Sequence, residues 1–208
     1  RDVRISRGGA PPRPMSKAMP TIGKRANEIR TARLVLRPLR EGDDTRIFAL
    51  FANWNVVRYL SSPPWPYAAD DARGFVNSRL NGDNDAIGGA ITLEGALIGI
   101  TDAIVKPASA VQRERGYSLG YWLGEPYWGN GFMSEAARAF LTYLFARIPD
   151  DTIYSGAFRE NAASLRIQDK LGFTRDGEAM LFANPQGKEM PHVSTSVTRA
   201  RFASANGK

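Results

Sequence analysis

Gly120-Tyr121-Trp122-Leu123-Gly124-Glu125-Pro126-Tyr127-Trp128-Gly129-Asn130-Gly131-Phe132-Met133-Ser134-Glu135-Ala136 is the stretch on which the reading of this chain turns. Tyr117 to Leu123 has strand composition, a tight loop follows, and a helix opens at the two glycines. The helix runs to about Arg147, with Met133, Ala136, Ala137, Phe140, Leu141, Leu144 and Ile148 on one face. A helix start leaves main-chain N–H groups unpaired, and its dipole favours negative charge there. Glycines let the main chain approach an anion closely. The loop therefore suits a pyrophosphate. It lacks the Gly-Lys-Ser/Thr of a P-loop, because Phe132 and Met133 follow Gly131. A dinucleotide fingerprint would need a third glycine where Ser134 stands, and an acid at the end of the next strand.

Working outward, Arg33 to Arg37 alternates and ends at Pro38, as a short strand does. Asp43 or Asp44 can cap a helix carrying Ile47, Phe48, Leu50, Phe51 and Trp54. A Pro-rich break at Ser61 to Pro66 precedes a second helix starting at Asp70 or Asp71. Ala86 to Leu93 and Ala96 to Val105 read as a hairpin around Glu94-Gly95. Beyond the central helix come a strand at Thr152–Phe158, a helix from N-cap Asn161 to Leu171 closed by Gly172, and strands near Thr174–Phe182 and His192–Thr198. This order predicts an α/β (α+β) fold on a mixed sheet, not a doubly wound parallel one.

The 208 residues suffice for one domain, read as residues 28–203 with a short tail at 204–208. The net charge of +7 is unevenly spread. Residues 1–40 hold eleven Lys/Arg against two acids, a balance of +9, and the remainder seventeen against nineteen, −2. Residues 1–27, with Pro11-Pro12, Pro14, Pro20 and seven Lys/Arg but no apolar period, read as a flexible basic extension. Met15 lies inside it as a candidate natural start. The absence of cysteine excludes disulfides, zinc–thiolate sites and cysteine nucleophiles, and is compatible with a cytoplasmic protein. No segment approaches the roughly 18 uncharged apolar residues of a spanning helix.

These residues resemble the GNAT N-acetyltransferase superfamily, in particular its RimJ/RimL-like branch. Thr31-Ala32-Arg33-Leu34-Val35-Leu36-Arg37-Pro38 looks like that branch's opening strand, Leu97-Ile98-Gly99 like its third strand, and Gly120-Tyr121-Trp122-Leu123 followed by Tyr127 to Ala136 like its coenzyme A loop. Asn161-Ala162-Ala163-Ser164 with Lys170-Leu171-Gly172-Phe173 looks like its last block. Where the superfamily loop is written Gln/Arg-x-x-Gly-x-Gly/Ala, this chain has Trp128, Gly131 and Met133. The resemblance implies a mostly antiparallel twisted sheet of about seven strands with about four helices, splayed at the coenzyme site. It implies acetyl-CoA as co-substrate, no metal, and an amine acceptor, either a protein N-terminus or a small molecule. A homodimer is compatible with it. Carried over by position, the backbone of Tyr121, Trp122 and Leu123 would pair with the pantetheine arm. The amides of Trp128, Gly129, Asn130, Gly131, Phe132, Met133 and Ser134 would hold the pyrophosphate. Asn161 would bond the pantetheine or acyl end, and Ser164 would donate a proton to the leaving thiolate.

The chemistry sets further demands. The attacking amine must lose a proton, which a carboxylate or a water chain can take. The developing oxyanion needs a fixed N–H, for which a strand amide near Trp122 is the candidate. Ser164 would be the third residue of its helix, where the dipole favours a thiolate. Glu125 and Glu135 adjoin the loop, Ala179 to Ala183 offers no carboxylate, and the single histidine, His192, reads as structural, so no base is assigned. Trp54, Tyr59, Trp65, Tyr67 and Phe158 are candidates to line an acceptor pocket. Two other readings share these residues. One is a coenzyme A-binding module without catalysis. The other is a nucleic-acid-associated protein acting through its basic arm, which has no aromatic residue before Phe48.

Overall fold

A computed structural model describes residues 28–83 and 86–207; the basic extension at 1–27 lies outside them. Eight strands form one sheet: β1 Ile29–Arg30, β2 Leu34–Arg37, β3 Ile87–Leu93, β4 Ala96–Lys106, β5 Gly116–Leu123, β6 Thr152–Phe158, β7 Thr174–Ala183 and β8 Lys188–Thr198. Their order across the sheet is β1-β2-β3-β4-β5-β6-β8-β7. Every neighbouring pair is antiparallel except β5 and β6. The helices are α1 Asp43–Phe51, α2 Trp54–Val57, α3 Ala69–Asn81, α4 Phe132–Phe145, α5 Ala162–Lys170 and α6 Arg199–Asn206.

The sheet has helices on both faces because its strands carry apolar residues on both. On one side the buried stripe of α4, including Met133, Ala137, Phe140, Leu141 and Leu144, packs with Leu34, Ile98, Tyr117, Leu119 and Ile153. Truncating one such buried Leu to Ala typically costs about 2–5 kcal/mol. On the other side Ile47, Leu50 and Phe51 of α1 and Ala72 and Val76 of α3 pack with Ala90, Leu97 and Ile100. β3 and β4 turn at Glu94 (φ 51°) and Gly95 (φ 84°), both in the left-handed region, as the two-residue hairpin reading requires.

Four features differ from the sequence reading. The first helix ends at Phe51 rather than running through Trp54. Asn53 starts the separate α2, its Oδ1 accepting Asn55 N–H (2.9 Å), a local bond that competes with helix continuation. Gly42, with φ 86°, is the N-cap of α1, and Asp43 sits inside the helix. The strand count exceeds about seven because β1 appears only in tertiary context, and the helix count exceeds about four because α2 is separate from α1 and α6 appears only in tertiary context. β1 is two residues long and exists by pairing with β2. α6 buries Phe202 alone among its residues. β8 also starts earlier than His192, so β7 and β8 form a long hairpin. Its tip returns to the segment after α2: Asn184 N–H and Nδ2 donate to the carbonyls of Ser61 and Ser62 (both 2.9 Å), and Gln186 Nε2 to that of Arg58 (3.0 Å).

The carboxylate of Asp43 takes a bidentate pair of bonds from Arg37 (2.8 Å each) and one from Arg40 N–H (2.8 Å), tying β2 to α1. The two side chains are only 9% and 10% exposed. Removing one partner strands a buried charge, so Asp43→Ala is expected to lose roughly 3–5 kcal/mol in urea unfolding. A loss below about 1 kcal/mol would mean the pair behaves as an exposed one.

Candidate active site

The sequence at the start of α4 determines its local geometry. Gly129 (φ 78°) and Gly131 (φ 75°) take left-handed conformations that residues with a Cβ rarely adopt. Gly131 is the N-cap, and no side chain caps the helix among the described residues. The first intrahelical bond runs from Glu135 N–H to Gly131 O (3.1 Å). The amides of Phe132, Met133 and Ser134 thus precede the helical ladder, at the positive end of its dipole. They border a cavity of about 540 Å³. Every site residue expected from the sequence lines this cavity except Asn130. The Asn130 side chain folds back onto Trp128 O (2.9 Å), and its carbonyl accepts from Arg33 Nη1 (3.0 Å). Arg166 and Lys170 of α5 also line the cavity, two cations the sequence reading did not single out.

The strand side of the cavity is made by a parting of the sheet. β5 and β6 pair only at Tyr117–Ile153 and Ser118–Tyr154, then separate. On the freed edge of β5, Ser155 Oγ donates to Leu119 O (3.0 Å) and Trp128 Nε1 to Leu123 O (2.8 Å). Gly124 N–H bonds Ile98 O (2.9 Å), so even-numbered residues here face β4. By strand alternation the main chain of Tyr121, between those two satisfied carbonyls, faces the cavity, and that of Trp122 faces β4. The strand amide available to an oxyanion is accordingly that of Tyr121.

Asn161 caps α5 as expected, its Oδ1 accepting Ser164 N–H (3.1 Å). Its Nδ2 is the atom left to serve a ligand. Ser164 Oγ lies 2.9 Å from Tyr121 Oη. Gln168, 1% exposed, completes the cluster. Its Nε2 donates to Ser164 Oγ (3.3 Å), Tyr121 Oη (3.4 Å) and Gly156 O (3.3 Å), while its Oε1 accepts from Thr195 Oγ1 (2.8 Å). The Thr195 bond fixes the amide orientation. The amide then donates to both hydroxyls, so Tyr121 O–H can turn onto Ser164 Oγ and Ser164 O–H toward the cavity. Burial raises the Tyr121 pKa, partly offset by Ser164 and Gln168, which keeps the phenol protonated. The sequence signal for Gln168 was a polar residue in register with Leu165 on the buried face of α5.

A second cavity, of about 580 Å³, lies on the other face of β5 and shares Leu60, Gly120, Tyr121 and Trp122 with the first. Its walls are Phe51, Tyr67, Phe75 and Trp122, with Asp70, Asp71 and Asp102 as acids and Arg79 as the basic group. Asp102 stands opposite Gly120 in the β4–β5 register, and a Cβ on Gly120 would come 3.2 Å from its Oδ1. Arg79 Nη2 pairs with Asp102 Oδ2. Burial pushes the Asp102 carboxyl above its ordinary value, and Arg79 and Lys106 only partly undo this. An acid inside the apolar run Leu97 to Val105 was the signal that could have found it. Of the aromatic candidates, Tyr67 lines the second cavity and Tyr59 the first. Trp54 and Trp65 pack against each other at a tilt, ring centroids 5.2 Å apart, and Phe158 is core.

The carboxylates near the loop are otherwise engaged. Glu125 accepts from Asn53 Nδ2 (2.6 Å) and Asn55 Nδ2 (2.9 Å). Glu135 accepts from Thr31 Oγ1 (2.5 Å), Arg33 N–H (3.0 Å) and Arg33 Nε (2.7 Å). Desolvation would raise the Glu135 carboxyl, but these bonds and the Arg33 charge outweigh it and hold its pKa below the usual value. Among the described residues no group of three or more His, Asp or Glu could hold a metal ion. No helix there is long and apolar enough to cross a membrane.

His192 packs edge-on to Phe158, and its buried Nδ1 has no hydrogen-bond partner among the described residues. Burial, with Lys106, lowers its pKa to about 4. The unfolded chain therefore binds this proton more readily, and its contribution to stability is complete above about pH 6.5 and lost as the pH falls toward 4. Urea unfolding between pH 7 and 4 should show a decline of roughly 2–3 kcal/mol from this group that His192→Gln removes. An unchanged slope in that variant would exclude the assignment.

Comparison with known proteins agrees with this geometry. Residues 33–174 match the acetyltransferase (GNAT) domain. The uncharacterized N-acetyltransferase YnaD of Bacillus subtilis is 28% identical over 149 residues, 72% of this chain and 84% of that protein. Among solved structures, the spermidine N-acetyltransferase from Vibrio cholerae in complex with CoA and spermine superposes with a TM-score of 0.67 at 21% identity, covering 83% of this chain and 99% of the other. RimL, the ribosomal L7/L12 alpha-N-protein acetyltransferase in complex with coenzyme A, gives 0.67 at 19% identity, covering 83% and 98%. With two-thirds of its length matched to that domain and the full sheet order in place, the chain belongs to the GNAT acetyltransferase family.

Proposed function

We propose that this acetyl-CoA-dependent N-acetyltransferase moves the acetyl group to a primary amine by direct attack in a ternary complex, the coenzyme occupying the α4–α5 cavity and the amine the cleft beneath α3. The observation that carries this reading is that two cavities of opposite chemical character meet at Gly120–Trp122. The residues of the first cavity fit the coenzyme: unladdered amides at the start of α4 and the cations Arg166 and Lys170 suit its phosphates. The open main chain of Tyr121 suits the amides of its pantetheine arm. Bound there, acetyl-CoA supplies an activated thioester.

The chain's residues supply the rest. Asp102, largely dehydrated at the floor of the cleft, takes the proton of the incoming ammonium or of the attacking amine. The Tyr121 amide faces the developing oxyanion. Ser164 donates to the departing sulfur, its Oγ supported by Tyr121 and Gln168 as negative charge develops. The cleft's excess of carboxylates favours a primary amine that arrives as a cation.

Thiol release from acetyl-CoA against a panel of amines tests the reading, and no turnover on any of them would sink it. Gly131→Ala should raise the acetyl-CoA KM by about tenfold, since the left-handed backbone costs roughly 1–2 kcal/mol with a Cβ. Ser164→Ala should lower kcat by about 10–100-fold, and Gln168→Leu by about tenfold, with both KM values near those of the unsubstituted protein. The acid limb of kcat against pH should lie above the ordinary carboxylate range. It should move to higher pH in Arg79→Gln, which removes the charge that lowers the Asp102 pKa. A limb that stays put in Arg79→Gln would exclude Asp102 as the base.

A further inference from the structure

Gly74 sits in the middle of α3 and lines the cleft. Glycine destabilises a helix interior relative to alanine, so its presence calls for a reason. The backbone does not supply one, because Gly74 is not in a left-handed conformation. Packing does not either, since, apart from its chain neighbours and the backbone of its own helix, no described atom lies within 4 Å of where its Cβ would stand. Gly74 is exposed and lines the cleft, so the space a side chain would fill opens at the cleft's edge.

The surroundings of that space narrow what would use it. Phe75 is the next residue along α3. Across the cleft, the Phe51 ring lies 4.7 Å from those of both Tyr67 and Trp122. These walls offer faces and edges to a flat apolar body. The guanidinium of Arg79 is committed to Asp102 and lies 5.1 Å over the Phe75 ring, so it is poorly placed to recruit a substrate carboxylate. A ring lying against α3 would use the open space at Gly74, whereas a straight alkyl chain is thin enough to leave it empty.

Resting on the acetyltransferase reading above, we propose that Gly74 is a specificity-determining residue, and that the vacancy over α3 admits the ring of a ring-bearing primary amine whose ammonium reaches Asp102. The bare helix backbone forms one wall of the ring's slot, and the aromatic side chains form the others.

The test compares phenethylamine with n-butylamine at saturating acetyl-CoA, in the unsubstituted protein and in Gly74→Ala. The unsubstituted protein should prefer phenethylamine by about tenfold in kcat/KM, and Gly74→Ala should lose about tenfold on phenethylamine through KM while staying within about twofold on n-butylamine. The acetyl-CoA KM should be unchanged. The melting temperature of Gly74→Ala should rise, because alanine is the better helix former, so the loss cannot be ascribed to misfolding. Equal effects on both amines, or no effect on either, would overturn the proposal. So would turnover confined to other amines, which would leave the acetyltransferase reading intact. No turnover on any amine would overturn both.

Discussion

The parting of β5 from β6 is the constraint around which this molecule is organised. Two parallel strands that separate in mid-sheet expose main-chain donors and acceptors that must find partners. Here most of that debt is met by side chains placed for the purpose. Ser155 covers the Leu119 carbonyl, Trp128 covers that of Leu123, and Gln168 covers that of Gly156. What stays open is the main chain of Tyr121, at the point where both cavities meet. The helix α4, entered immediately after β5, adds its own unladdered amides to the same cavity. A single interruption in the sheet therefore generates strand-like and helix-end recognition side by side.

Charge is divided between the two faces of the sheet at this point. The α4–α5 side presents a helix N-terminus with Arg166 and Lys170, and the α3 side presents Asp70, Asp71 and Asp102 against Arg79. An anionic coenzyme and a cationic acceptor would each be drawn to its own side and away from the other. Burial sharpens the contrast, raising the Asp102 carboxyl. It also pushes the Tyr67 phenol up to about 12, with help from the Asp71 charge. The acids lie on α3 and β4, so the loop Ser61–Pro64 shapes the cleft without charging it. The β7–β8 hairpin holds that loop from outside through Asn184 and Gln186.

Much of the fold was legible because local patterns dominate where periodicity is strong. The stripe of α4, the alternation in β2, the Glu94-Gly95 hairpin and the Asn161 cap all appear where their residues place them. The short or polar elements were not legible. β1 is two residues long, α6 has one buried apolar side chain, and α1 stops at Phe51 because Asn53 makes a side-chain bond that no period reports. Of the site, the loop residues and Ser164 were legible as a motif. Their partners were not, since Tyr121 and Ser164 are 43 residues apart, and Thr195 is 27 residues from Gln168.

By itself, then, the sequence determined the order of elements, the glycine-opened helix and the anion-binding potential of its first turn. Those properties depend on φ preference, capping and hydrophobic period within a few residues of chain. The tertiary structure alone decided which carboxylate stands at the meeting point of the two cavities. Glu125 and Glu135 adjoin the loop in sequence but are consumed by Asn53, Asn55, Thr31 and Arg33. Asp102 is distant in sequence from that loop yet stands over Gly120, because antiparallel register sets β4 against β5. Register and burial are properties of the assembled sheet, and they determine whether an acid is a structural anchor or a dehydrated carboxyl lining a cavity.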